Sequence, residues 1–395
     1  MPLVAYDPFA PEVLEDPHPV YKALRREDPV HYIERFDAFA LARFADIWDA
    51  SSNPALSTAR GTTPSQLLTR VQPVTPMLNL MDPPEHTELR RAVKPYFAPR
   101  RVRELEPTIR SLVCEYLDKV RERGQCDAVN DLAQQVSVRV ACTAIGIPLA
   151  DSDHLNTLVW RFFAREPGVE GMTEDGLRAA EELSAYFLEL VARRRAAGSD
   201  RDDVIDLFCR FELGGRRFTP EEIASHLSML IIGGSETFPK TYANALHRLF
   251  EHPDQRAECV RDPSLIPHAY EEALRYDMPT QFLGRTAVSE LEIGGRRIRP
   301  GQAVLFLYPS ANRDELEFED PDRFDIHRRP ARILSFGAGT HACLGLHIAR
   351  MEGRVCLEET LRRMPEYEVV AEESERLRTE FVQGFARLAL RFEPF

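Results

Sequence analysis

The stretch FTPEEIASHLSMLIIGGSETFPKTYANALHRLFEHP, from Phe218 to Pro253, limits the possible folds more than any other. Apolar residues recur at spacings of three and four through Glu221–Phe250, which is the pattern of a helix. Thr219-Pro220-Glu221-Glu222 reads as a capping box with proline at the first helical position. Unbroken, such a helix would be roughly 48 Å long at 1.5 Å per residue, enough to cross a domain. Its centre opposes it. Gly233-Gly234 costs about 1–2 kcal/mol relative to alanine, and Pro239 removes a donor and presses on the carbonyl of Ser235. Two arrangements stay open: two helices with a break, or one long helix held by packing and opened at its middle. Glu236 and Thr237 lie between the breakers, an acid beside a hydroxyl. Thr237 is expected to bond back to the Gly233 carbonyl, leaving a local groove.

The same helical periodicity appears at Arg103–Val120, Leu132–Ile145, Glu174–Ala196 and Leu344–Met364. Strand patterns are short. His31–Arg43 reads as a hairpin, Leu291–Tyr308 as two strands around Gly294-Gly295, and the end from Gly384 as one more strand. This predicts a mainly α protein with small β-sheets, folded as one domain over residues 1–395, because no linker, repeat or low-complexity run divides it. A net charge of −13 argues against nucleic-acid binding. The longest apolar runs, such as Leu227–Ile232, are too short to span a bilayer. The first residues have no basic or apolar signal regions. The expectation is a cytoplasmic monomer with no membrane association. Seven cysteines without a CxxC pair indicate neither a zinc site nor a disulfide framework.

Cys343 stands apart from the other six. It lies in FGAGTHACLG (Phe336–Gly345), between glycines 337, 339 and 345 and directly ahead of a helical segment. Glycines admit positive φ and close approach of backbone to a bound group. The following helix N-terminus favours negative charge on the sulfur, and Phe336 is placed to cover it. A glycine turn holding an inert buried cysteine is the plainer alternative.

The order Phe-Gly-x-Gly-x-His-x-Cys-x-Gly decides between them, because it resembles the haem-binding signature of the cytochrome P450 family of haem-thiolate monooxygenases. Other parts of the chain resemble that family in the same order: DPPEHTELRR (Asp82–Arg91), GGSETF (Gly233–Phe238), EALR (Glu272–Arg275) and ANRDELEFEDPDRFD (Ala311–Asp325). The resemblance implies the P450 fold, with haem b between the long distal helix and the helix after Cys343. It makes Cys343 the iron ligand, a thiolate that favours O–O cleavage. It places His86, Arg90, Arg285 and His341 at the haem propionates. Glu272 and Arg275 become a structural pair that Arg323 joins. Glu236 and Thr237 become the pair delivering protons during dioxygen reduction. Phe238 departs from the small hydroxyl residue common after the threonine, and a bulkier distal wall is expected.

By position in the family, Ile232, Gly233, Gln281, Phe282, Phe381 and Val382 should line the substrate pocket. The implied substrate is an apolar small molecule, terpenoid or steroid-like, with fatty acids and aromatics as alternatives. Without flavin or nicotinamide motifs, electrons should come from a ferredoxin and its NAD(P)H-dependent reductase. The run LRRAVKPYFAPRRVR (Leu89–Arg103) carries six basic residues and no acid, and Arg350 and Arg354 follow Cys343. These form the expected docking patch. A peroxide-driven peroxygenase or a non-catalytic haem-thiolate sensor or carrier are the competing functions.

Overall fold

The computed structural model describes residues 4–71, 75–166, 169–198 and 200–395. Ten helices carry the frame: α1 (His18–Glu27), α2 (Glu85–Val93), α3 (Pro99–Val120), α4 (Gln134–Ile145), α5 (Ser152–Phe163), α6 (Glu174–Ala196), α7 (Pro220–Ser235), α8 (Thr237–Glu251), α9 (Ile266–Tyr276) and α10 (Leu346–Arg363). The strands are short: β1 (Val30–Ile33), β2 (Ala38–Leu41), β3 (Leu56–Ser57), β4 (Gln125–Asp127), β5 (Phe282–Ala287), β6 (Leu291–Ile293), β7 (Arg296–Ile298), β8 (Ala303–Leu307), β9 (Tyr367–Val369), β10 (Glu375–Arg378), β11 (Gln383–Arg387) and β12 (Ala389–Phe392). A five-stranded sheet has the order β1-β2-β8-β5-β3, with only β2 and β8 parallel. The other groups of these strands are β9-β12-β4, β10-β11 and β6-β7.

The helical periodicity of the sequence is matched at every predicted helix. The strand reading is incomplete: β8 joins the large sheet beyond the Gly294-Gly295 hairpin, and the chain end forms two strands, β11 and β12, in different sheets.

The long segment folds as two helices hinged at one residue. Thr219 and Glu222 make the reciprocal cap, with Glu222 accepting from the Thr219 amide at 2.8 Å. α7 stops at Ser235, Glu236 sits at φ −96°, and α8 starts at Thr237. The expected bond from Thr237 to the Gly233 carbonyl is replaced by others. The Ser235 hydroxyl donates to the Ile231 carbonyl at 2.8 Å, and Ser137 of α4 donates to the Gly234 carbonyl at 3.0 Å. Pro239 falls in the first turn of α8, where its missing N–H would have no helical partner anyway. Phe238 does not form a distal wall. It is buried against Tyr242 and Tyr270, with ring centroids 6.0 and 6.5 Å away.

α7 packs on α4, α5 and α6, while α8 packs on α9, α10 and β11. Arg110 of α3 reaches Glu358 and Glu359 of α10 at 2.7 and 2.6 Å, and Arg354 reaches Glu106 at 2.7 Å, tying these two helices together. The segment leading to Cys343 is fixed from α9. Arg275 grips Glu272 at 2.7 and 2.8 Å and donates to the carbonyls of Asn312, Pro321 and Arg323. Asn312 accepts from the Leu334 amide at 2.8 Å and donates to Ser335. Arg323 contributes only its carbonyl; its side chain is exposed and pairs with Asp325. The second guanidinium at Glu272 belongs to Arg328, at 3.3 Å. The chain turns between these residues, and that turn, which sequence spacing does not encode, decides which arginine points inward.

Candidate active site

The loop Phe336–Gly345 is shaped by two left-handed glycines. Gly337 and Gly339 have φ +63° and +67°. A Cβ on Gly339 would lie 2.5 Å from the Ser51 carbonyl oxygen and the Ser52 hydroxyl, so a side chain there is excluded. Gly345 departs from expectation. Its φ is −85°, and no protein atom lies within 4 Å of where its Cβ would stand. Its requirement is for space beside the loop, not for an unusual dihedral.

Within this loop the Cys343 amide donates to the Phe336 carbonyl at 2.8 Å, and Cys343 as a residue is exposed. Dense protein packing around it pushes the thiol pKa up, while the Gly345 N–H, Arg90 and Arg350 pull it down. The other six cysteines are free and wholly or partly buried. Phe336 lies beneath the Arg350 guanidinium, 4.8 Å from ring to cation, and Arg350 pairs with Glu271 at 2.6 Å.

Four polar residues converge next to the loop. The His86 and His341 rings face each other at 4.2 Å. His86 is buried with neither ring nitrogen hydrogen-bonded. Burial, reinforced by nearby Arg90, lowers its pKa to about 4, and burial with Arg285, His86 and Arg90 lowers that of His341 to about 3. Arg90 donates to the Ala342 carbonyl. Arg285 is buried in β5, bonds only the Gly284 carbonyl at 2.8 Å and has no carboxylate partner among the described residues. Buried cations and imidazoles without anions require an anionic group to complete them. Two propionates of a macrocycle, seated where Gly345 leaves space and with sulfur at Cys343, fit this set.

At the helix break, Glu236 is buried, and Thr237 keeps partial exposure. Burial pushes the Glu236 carboxyl pKa up, and Lys240, 3.1 Å away, draws it down. Gly233 and Gly234 expose their backbone on the same turn. Ile232 and Phe381 pack with Val159, Phe162, Phe163 and Val382 into one apolar cluster. Phe163 stacks on Phe381 at 6.0 Å. Within it Val382 is fully packed, and the partly open members are Phe162, Ile232, Leu377 and Phe381, with exposed Gly233 next to Ile232.

Two pocket expectations are corrected. Gln281 accepts from the Tyr21 hydroxyl at 3.4 Å and donates to the Pro279 carbonyl, and Phe282 is buried with Tyr6, Tyr21 and Leu305. Both belong to the N-terminal layer. The alternation of a strand explains Phe282: Leu283 shares the Arg285 face of β5, and Phe282 faces the other way, while Gln281 precedes the strand and is held by its own hydrogen bonds. Leu283 is partly buried against the main core. Counting by two from Arg285 would have found it. Phe162 and Phe163 carried no local signal, because they reach the site only through the packing of α5.

A helical frame that presents one open cysteine in a glycine loop, beside unpartnered cations and a broken helix, defines a haem-thiolate protein. The family model described as Cytochrome P450 matches residues 264–392. Cytochrome P450 130 of Mycobacterium tuberculosis is 36% identical over 91% of this chain and 90% of its own length. Vitamin D(3) 25-hydroxylase of Pseudonocardia autotrophica is 34% identical over 98% of this chain and 97% of its own. The crystal structure of CalO2 superposes with a TM-score of 0.87 at 31% identity, covering 99% of this chain and 100% of that one. The chain belongs to the cytochrome P450 family. It is accordingly a haem b monooxygenase with the P450 fold. None of the described helices is long and apolar enough to cross a membrane.

Proposed function

We propose that this enzyme hydroxylates a large, neutral, apolar molecule of the steroid or secosteroid kind, with electrons from a ferredoxin and its NAD(P)H-dependent reductase. When bound, the haem supplies binding and reductive activation of dioxygen. Cys343 would hold the haem iron through its sulfur, and His86, Arg90, Arg285 and His341 would meet the propionates with charge-assisted hydrogen bonds. Ile232, Gly233 and Phe381 hold the substrate, with Leu283 beside them. The Thr237 hydroxyl positions water at the oxygen site, and Glu236, whose burial favours its protonated form, supplies the proton.

One observation carries the substrate class. Arg165 follows the aromatic wall directly, and each of its three nitrogens is engaged, by Glu380, which pairs its charge, or by the carbonyls of Phe163 and Ala164. It offers nothing to the carboxylate of a fatty acid, while the Phe162–Phe163–Phe381 surface suits fused rings. The relative named as a vitamin D(3) 25-hydroxylase acts on such a molecule. The test is an optical titration of the haem band with secosteroids, sterols, terpenoids and fatty acids, followed by product analysis with a surrogate ferredoxin. Saturable shifts and hydroxylated products from a sterol or secosteroid are expected. Shifts from fatty acids alone, or products formed only with added peroxide, would overturn the proposal.

A further inference from the structure

The interface of α8 with β11 holds a file of polar groups that the fold does not need. Glu236, Lys240, Asn244 and His247 follow one another at helical spacings of four, four and three, so they share one face of α8. The first three are almost fully buried, and His247 reaches partial exposure ahead of exposed Glu251. The Lys240 ammonium holds one Glu236 carboxylate oxygen at 3.1 Å. The other oxygen, Oε2, is buried with no partner among the described residues. Asn244 donates to the Asp277 carbonyl at 2.9 Å, while its own Oδ1 is also buried without a partner. At the outer end, His247 lies against Phe385 with ring centroids 5.0 Å apart and faces Glu251 at 3.6 Å.

β11 lies over this file. Gly384 stands above Lys240 at φ +147°, and a Cβ there would be 2.9 Å from the Lys240 Cβ. An apolar seam would cost less than this one. Two unsatisfied buried acceptors and a buried charge pair are each destabilising unless water completes them. Internal water commonly meets such groups, making about three hydrogen bonds. The spacing of the two free acceptors, two helical turns apart with an ammonium between them, suits water at both.

We infer that the α8–β11 seam is the inlet through which protons reach Glu236 from solvent at the His247 end, with Lys240 and Asn244 as its relay positions. This rests on the reading of Glu236 as the proton donor. The path is roughly 16 Å along the helix, from the rise over eleven residues. The transfers balance as follows. The Glu236 carboxyl gives its proton to the water held by Thr237 and becomes a carboxylate. The Lys240 ammonium passes a proton to that carboxylate and is left as an amine. The amine takes a proton from water at Asn244 Oδ1, and the hydroxide so left takes a proton passed along water from bulk solvent past His247. The net change is one proton moved from solvent to the oxygen site, with every group restored.

Three variants test it: Lys240→Met, which keeps the length and removes the ammonium; Asn244→Leu, which removes the acceptor; and His247→Phe at the partly open end, which spares the buried pair. Each is compared with Glu236→Gln in haem-loaded protein. The expected result is a fall in product per NAD(P)H on the order of tenfold or more, within the range of a lost acid–base step. The solvent deuterium isotope effect on turnover should rise, while the substrate-induced shift of the haem band stays as in the parent. A high-resolution crystal structure should show water at both Glu236 Oε2 and Asn244 Oδ1, and loss of the latter in Asn244→Leu. If Glu236→Gln alters the isotope effect but Lys240→Met and Asn244→Leu do not, protons enter elsewhere and the inlet is wrong. If Glu236→Gln alters nothing, the donor reading itself fails. A dry seam in the crystal would also reject the inlet.

Discussion

Cys343 is the one cysteine of seven that is exposed, and its neighbours leave space where a side chain at Gly345 would go. Replacing it by histidine keeps a nitrogen ligand but removes the sulfur, so the long-wavelength Soret band of the reduced carbon monoxide complex should vanish. A Cys343→His protein that retained the band would place the iron on another residue. Thr237 poses a sharper question, because Ser235 is a nearby hydroxyl able in principle to substitute for it. The structure removes that option: Ser235 is fully buried and its hydroxyl is tied to the Ile231 carbonyl. Thr237→Ala should therefore go on consuming reduced cofactor and release it as peroxide, without rescue from Ser235. Coupling of product to cofactor, measured on a known substrate, checks this; unchanged coupling would reject the role. Residues whose function follows from a local pattern, such as Cys343 within its glycines, were legible in the sequence. Lys240 was not, since a lysine one turn beyond an acid looks like an ordinary helix pair until burial shows otherwise.

Elements were read well where one periodicity spans many turns and poorly where a face or a turn decides. The hinge at Glu236 was foreseeable from Gly233, Gly234 and Pro239, yet its carbonyls found partners in Ser137 and Ser235 that only packing supplies. The orientation of β5 and the choice of Arg328 over Arg323 at Glu272 also depend on where the chain turns. That choice is measurable. Removing Glu272 would leave Arg275 and Arg328 buried without their anion, and Glu272→Ala should lose roughly 3–5 kcal/mol of stability in urea unfolding. Arg328→Ala should be clearly destabilising, whereas Arg323→Ala, at an exposed site, should stay within about 0.5 kcal/mol. Equal effects of the two arginines would contradict the observed network. His226 makes a second test at this scale. Buried in α7 against Phe208 and Phe218, it accepts from the Leu78 amide at 3.1 Å and so fastens the segment before α2 to α7. Burial, opposed by Glu222, lowers its pKa to about 4. The unfolded chain, with an ordinary value near 6.5, then binds the proton first on acidification. Stability should fall as pH drops from about 6.5 towards 4, by up to about 1.4 kcal/mol per pH unit from this group. Urea unfolding across this range should show a shallower slope in His226→Gln; an identical slope would mean other groups govern the acid limb.

At the scale of the whole molecule the question is where the electron donor meets a protein of net charge −13. The basic run Leu89–Arg103 keeps its sign in the folded protein, but fewer of its charges are free than the sequence indicates. Arg90 turns inward to Ala342, Arg101 is shared with Glu104 and Asp202, Arg350 pairs with Glu271, and Arg354 with Glu106 and Glu358. Arg91, Lys94, Arg100 and Arg103 remain exposed, with no carboxylate partner among the described residues. Lys94 and Arg350 both bear on His347, four residues after Cys343, so one of the free cations, Lys94, reaches the thiolate side of the molecule. An open cleft of about 430 Å³ lies there too, bordered by Trp48, Arg332, Phe336, Ala342 and Arg350. An acidic ferredoxin docking on this side would be guided in its approach by the free cations of the basic run and would find a contact surface in the cleft. Reduction by the ferredoxin should therefore slow steeply as salt rises, since exposed charges are screened beyond ~10 Å at 0.1 M. Charge reversal at Arg100 and Arg103 should reproduce that slowing at low salt, and reversal at Arg101, already neutralised, should do less. Trp48→Ala should instead speed dissociation while leaving the salt dependence intact. Stopped-flow reduction rates under carbon monoxide measure all of these, with the substrate-induced spectral shift as a control for an intact pocket. A rate indifferent to both salt and the Arg100 and Arg103 reversals would place the donor on another face.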